Sequence, residues 1–208
     1  MTRTASPIVA GLILAGGRGS RMAADVPKPL LRLGERTLLE HVLARLTASI
    51  VPVLLSANDE AFAEFGLPVL RDRIEGFAGP LAGLDSAAAF LAAQHSSVTH
   101  LLMLPGDTPF LPLDLVARML EACGEKARVA RHAGALQPTV TLWPTAALGG
   151  LPTFLAEAQK HSIRGFLEVV GFEPVDFGVD AHAPGGDPFF NVNTPADLAL
   201  ARSAFARR

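Results

Sequence analysis

The sequence predicts an α/β fold, a single domain built on a mainly parallel, Rossmann-like sheet with helices on both faces. Apolar runs rich in Val, Ile and Leu alternate along the chain with longer stretches of helical periodicity. That alternation is the pattern of parallel strands joined by crossover helices. The chain has 208 residues, 50% of them hydrophobic, which suits one core over residues 1–208 and would cramp two.

Strands are expected at 8–14, 51–56 and 100–104, with weaker candidates at 69–71, 127–131, 139–143 and 175–177. A helix is expected over 37–46, because Leu38, Leu39, Val42, Leu43 and Leu46 fall on one face. A second is expected over 81–93, and others after Pro112, Thr145 and Thr194. Thr194-Pro195-Ala196-Asp197 supplies an N-cap, a proline at the first helical position and an acid in the first turn.

Charge and cysteine content narrow the class. Lys and Arg total 18 against 20 Asp and Glu, so the chain lacks the basic excess of a nucleic-acid binder, and an anionic substrate must be met by a few local cations. Cys123 is the only cysteine, which excludes an internal disulfide and a thiolate metal cluster and fits a reducing, cytoplasmic location. The apolar run at 8–15 is soon followed by Gly16, Gly17, Arg18 and Arg21, too early for a membrane span or a signal peptide.

In an open parallel sheet, ligands collect at the carboxyl ends of the strands. After the first strand comes Leu14-Ala15-Gly16-Gly17-Arg18-Gly19-Ser20-Arg21-Met22, whose glycines let backbone N–H groups approach a phosphate. It lacks the Gly-Lys-Ser/Thr of a P-loop and the third glycine of a dinucleotide fingerprint. Arg21 and Lys28 follow it as cations suited to a triphosphate. Asp107 lies just past the apolar run at 101–104, where one hard carboxylate suits Mg²⁺ shared with phosphate and water. The same aspartate also suits a turn before Pro109.

Gly79-Pro80 reads as a helix entry with N–H groups aimed at the crevice. Asn58 and Asp72 follow strand ends, where their side chains suit a base edge, a ribose or an ordinary turn. Asn191 and Asn193 share one face if their segment is extended, offering neutral amides to phosphate oxygens or waters, and Asn193 also suits a plain turn. None of the six histidines falls in a pattern that marks a catalytic base.

Together, Leu14-Ala15-Gly16-Gly17 with Arg21-Met22, Gly79-Pro80-Leu81-Ala82-Gly83, Asp107-Thr108-Pro109-Phe110-Leu111-Pro112, Pro138-Thr139-Val140 and Asn191-Val192-Asn193-Thr194-Pro195 resemble the molybdenum cofactor guanylyltransferases. The resemblance runs from Gly11 to Leu198. It implies the nucleotide-diphospho-sugar transferase fold, with transfer of GMP from GTP to molybdopterin, Mg²⁺ as cofactor and release of pyrophosphate. It implies nucleotide contacts at Leu14, Ala15, Gly16, Gly17, Lys28, Asn58, Asp72 and Asp107, catalytic roles for Arg21, Lys28 and Asp107, and Mg²⁺ on Asp107. Gly79, Asn191 and Asn193 would face the acceptor. Molybdopterin-loading proteins or acceptor molybdoenzymes are the partners implied, with neither nucleic acid nor membrane.

The sequence departs from that family in two places. Asp25 and Lys28 are separated by Val26-Pro27, where the family pairs Asp with Lys, and Pro27-Lys28-Pro29-Leu30 is more like the loop of sugar-1-phosphate nucleotidyltransferases. Gln137 stands where the family often carries His. A sugar-1-phosphate nucleotidyltransferase, a molybdopterin cytidylyltransferase and a non-catalytic GTP- or molybdopterin-binding carrier or sensor are the alternatives.

Overall fold

Val9–Leu14 forms the central strand, β1. Ala10 and Leu12 face one core while Val9 and Ile13 face another, and burial on both faces explains why the strand reads as an unbroken apolar run. In the computed structural model, which describes residues 6–16, 26–73, 79–158 and 161–207, the further strands are β2 (Arg32–Leu33), β3 (Arg36–Thr37), β4 (Ile50–Ser56), β5 (Val69–Leu70), β6 (His100–Pro105), β7 (Ala127–His132), β8 (Ala135–Pro144) and β9 (Phe172–Phe177). The helices are α1 (Leu38–Leu43), α2 (Pro80–Gln94), α3 (Leu115–Leu120), α4 (Leu151–Glu157), α5 (Ile163–Val170) and α6 (Pro195–Phe205).

The main sheet has the order β5-β4-β1-β6-β8-β7-β9. Its first four strands run parallel, β8 runs antiparallel to both neighbours, and β9 is parallel to β7. Leu39, Val42, Leu115, Val116 and Met119 place α1 and α3 over one face. Leu81, Leu84, Leu151, Leu155, Phe166 and Leu167 place α2, α4 and α5 over the other. A third cluster joins Leu33, Phe110, Val192, Leu198 and Ala201, so the small β2–β3 hairpin and α6 share a core of their own. At Gly34, whose φ of 67° suits glycine, an added Cβ would lie 2.7 Å from the Phe205 ring. Among the described residues no helix is long and apolar enough to cross a membrane.

Several elements differ from expectation. The helix expected over 37–46 is helical only from Leu38 to Leu43, with Thr37 as its N-cap in a capping box with Glu40, and Leu46 N donates to Leu43 O in a tightened last turn. The strand expected at 139–143 begins at Ala135, because Ala133 and Gly134 turn a tight hairpin with both φ values positive (47° and 79°). The helix after Thr145 is preceded by a 3₁₀ stretch, Thr145–Gly150, that ends in two glycines. The β2–β3 hairpin and α5 were not expected. Two-residue strands have no periodicity to read, and α5 is short and carries Gly165.

One close approach fixes α2 on the sheet. A Cβ at Gly83 would come within 2.9 Å of Ser56 Cβ and closer still to Ser56 Oγ. Gly83→Ala is therefore expected to lower stability by about 1–3 kcal/mol, the usual range for overpacking, with Ser56→Gly in the same chain recovering part of the loss. Urea midpoints of the two single variants and the double variant check this.

Candidate active site

The carboxyl ends of β1, β4 and β6 converge. Ala15 N and Gly16 N both donate to Ser56 O, at 2.9 and 2.8 Å, which pins Ala15 and Gly16 to the end of β4. Gly106 N donates to Leu14 O at 2.9 Å. A Cβ at Gly106 would stand 3.1 Å from that oxygen and 3.4 Å from Pro29 Cβ, so a glycine at this position lets the Lys28–Leu30 3₁₀ turn lie close against β6.

Lys28 then meets Asp107. Its Nζ pairs with Asp107 Oδ2 and donates to Asn193 Oδ1 at 2.7 Å. Both charged side chains are largely buried, 19% and 14% exposed. Asp107 O accepts from Val192 N at 3.0 Å, so the segment carrying Asn193 is tied to the end of β6 through backbone as well as side chain. Behind it the Asp197 carboxylate accepts from Asn193 N (3.0 Å) and Thr194 N (2.8 Å), and Thr194 Oγ1 accepts from Asp197 N (3.2 Å), closing the capping box of α6. Asn193 is thus held from its own helix start.

The two carboxylates are tuned in opposite directions. Burial pushes the Asp107 carboxyl above its ordinary range, against the opposing charge and hydrogen bond of Lys28. Burial also acts to raise Asp197, but hydrogen bonds from Thr194 and Asn193, with the charge of Lys28, leave it below the ordinary range.

A second pair lies at the ends of β4 and β5. Asn58 Nδ2 donates to Asp72 Oδ2 at 3.1 Å, and Asp72 N donates to Asn58 Oδ1 at 3.2 Å. Gly79 is the exposed N-cap of α2. Asn191 is exposed beside buried Val192. The structure therefore brings Lys28, Asp107 and Asn193 into one cluster and Asn58 and Asp72 into another, with Leu14, Ala15 and Gly16 at the head of the central strand. Gly17 and Arg21 lie outside the described residues. Ser56 and Gly106 were not singled out from sequence; Ser56 acts through its carbonyl, which every residue type carries.

Among the described residues no group of three or more His, Cys, Asp and Glu could hold a metal ion. The Asp107 carboxylate, largely buried and paired among the described residues with Lys28, is a hard oxygen donor of the kind that fits a cation shared with phosphate oxygens and water.

Residues 11–173 match the MobA-like NTP transferase domain, which places the chain in the nucleotidyltransferase class. The chain belongs to the molybdenum cofactor guanylyltransferase family. It is 42% identical over 198 residues to the molybdenum cofactor guanylyltransferase of Mesorhizobium japonicum, covering 93% of this chain and 94% of that one. Two solved structures are similar in fold. Molybdopterin-guanine dinucleotide biosynthesis protein A from Archaeoglobus fulgidus has a TM-score of 0.69 at 22% identity, over 96% of this chain and 100% of that one. The 4-diphosphocytidyl-2C-methyl-D-erythritol synthase of Anaerococcus prevotii has a TM-score of 0.71 at 14% identity, over 98% and 97%.

The raised Asp107 carboxyl has a measurable sign. The folded chain holds this proton more tightly than the unfolded chain, so the stability tied to it is fully present below the unfolded pKa and lost as pH rises through the folded one. Lys28→Met removes the principal opposing charge and should move the Asp107 midpoint higher still. Carbon-detected NMR titration of the Asp107 carboxyl reads the shift, and an unchanged or lower midpoint would contradict the assignment of burial and Lys28 as opposing influences.

Proposed function

We propose that this chain transfers GMP from GTP to molybdopterin, giving the guanine dinucleotide form of the cofactor and pyrophosphate. The observation that carries this reading is the Lys28 ammonium held between Asp107 and Asn193. That cluster joins a cation and a carboxylate suited to a triphosphate to the segment expected to face the acceptor. The name borne by the Mesorhizobium japonicum relative supports the same substrates.

In this mechanism the terminal phosphate of molybdopterin attacks the α-phosphorus of GTP directly, an oxygen–phosphorus bond forms as the bond to pyrophosphate breaks, and no covalent enzyme intermediate is required. Lys28 neutralises charge on the triphosphate, and the Ala15–Gly16 turn, pinned to Ser56, keeps the phosphate approach open. Asp107 would hold Mg²⁺ together with phosphate oxygens and water, and the ion would supply charge neutralisation at the reacting phosphates. Arg21 is assigned the same electrostatic role from its place in the sequence. Asp72, fixed by Asn58, would accept from guanine N1–H and N2–H₂. Asn193, from the far side of Lys28, would orient the attacking phosphate, with Asn191 and Gly79 along the acceptor path. A cytoplasmic location and delivery to acceptor molybdoenzymes follow from this assignment.

Incubation with Mg²⁺, molybdopterin and each of the four ribonucleoside triphosphates should release pyrophosphate with GTP alone. Transfer to a sugar 1-phosphate in place of molybdopterin would instead favour the reading suggested by Pro27-Lys28-Pro29. Within the guanylyl reaction, Asn193→Ala leaves Lys28 paired with Asp107, so GTP affinity should stay within about threefold while transfer slows about tenfold or more, the scale of one hydrogen bond to a charged group. Equilibrium dialysis and single-turnover transfer separate the two effects, and a collapse of GTP binding would move Asn193 to the nucleotide side.

A further inference from the structure

Asp85 has no part in the guanylyl transfer mechanism, yet it is a carboxylate buried on the second turn of α2, 5% exposed. Burying a charge is costly unless it is paired, and its partner is Arg73, whose Nη1 lies 3.4 Å from Asp85 Oδ2. The next residue, Ser86, is also buried, and its hydroxyl donates to Arg71 O at 2.9 Å. Two consecutive helix residues therefore grip the two neighbours of Asp72, one through a side chain and one through backbone. From the other side Asn58 grips Asp72 itself, through its carboxylate and its N–H. Arg71 reaches Glu60 at 3.4 Å, but that pair is exposed and contributes little.

The bracing has a directional result. Residues 71–73 follow a strand of only two residues, β5, at the edge of the sheet, so the ladder alone does little to fix where the Asp72 carboxylate points. Asn58 Nδ2 takes one lone pair of Oδ2, which leaves the other and both of Oδ1 for a ligand. The same helix packs through Gly83 against Ser56, the residue that pins the Ala15–Gly16 turn. Over about one turn, α2 thus touches both the phosphate end and the base end of the crevice.

We infer that Asp85 and Ser86 are positioning residues for nucleobase selection, holding the 71–73 loop from α2 so that Asp72 meets the Watson–Crick edge of guanine. This rests on the proposed GTP specificity. A loosened loop weakens a contact made only with guanine and leaves the contacts common to all triphosphates intact.

The test compares GTP, ITP (which lacks the 2-amino group) and ATP in steady-state transfer and in equilibrium binding, for the parent chain, Ser86→Ala, Asp85→Asn and Arg73→Met. Each variant should raise KM for GTP by about three- to tenfold, the scale of one intramolecular hydrogen bond, with kcat within about twofold and ATP binding unchanged. Because Asp85 and Arg73 act as one unit, Asp85→Asn with Arg73→Met should be no worse than the poorer single variant. Arg73 is exposed on the surface, so its replacement opens no cavity, and the double variant removes the buried charge that Arg73→Met alone would leave without this partner. Equal losses for all three nucleotides, or lower melting temperatures with an unchanged GTP to ATP ratio, would overturn the inference and reduce the pair to packing. A parent chain without guanine preference would instead overturn the specificity on which it rests, and the two failures are told apart by the parent measurement alone.

Discussion

The Lys28–Asp107 ion pair is the interaction on which the site's arrangement depends. Its members come from the Lys28–Leu30 3₁₀ turn and from just beyond a central strand, and Asn193 joins them from the start of the last helix. A carboxylate this deep is poorly solvated, and removing its partner would leave an uncompensated charge. The neighbouring geometry serves that pairing. Gly106 lets Pro29 approach, Val192 N binds the Asp107 carbonyl, and the α6 capping box holds Asn193 at the right distance.

Buried ion pairs seldom contribute much net stability, because desolvation offsets most of the attraction. The raised Asp107 carboxyl is the local sign of that balance: burial outweighs the ammonium beside it. Under the proposed mechanism Asp107 would hold Mg²⁺, which would supply charge neutralisation there, and Lys28 would then be available to a phosphate. Asn193, which accepts from the same ammonium, would hold it in place.

The architecture was legible in sequence where burial is two-sided. β1, β4 and β6 read as apolar runs, and the strand ends after Leu14, Ser56 and Leu104 do lie side by side in the sheet. Lys28, Asp107 and Asn193 were each singled out, but not their mutual contact, because pairs separated by as many as 165 positions leave no local trace. The same holds for Asn58 with Asp72. The first residues of β8 and its antiparallel direction are not legible, because its turn uses Ala133-Gly134 in place of a strong Asn-Gly signal. Asp85 and Ser86 were unreadable for another reason: within an alanine-rich helix, nothing distinguishes a buried acid from a solvated one until its neighbours are known.

The third hydrophobic cluster gives the molecule two tiers of cooperativity. The two cores against the sheet share its strands, whereas the cluster of Leu33, Phe110, Val192 and Leu198 rests on a two-stranded hairpin and one terminal helix. Small units with few apolar partners open at lower free energy than a central sheet. Amide protons in α6 and the hairpin will therefore exchange through a partial opening that β1 and β6 do not share. In that open form Ala15, Gly16 and Asp107 would stay on the intact sheet while Asn193 departs, so Asn193 and Asp107 would belong to separate foldons.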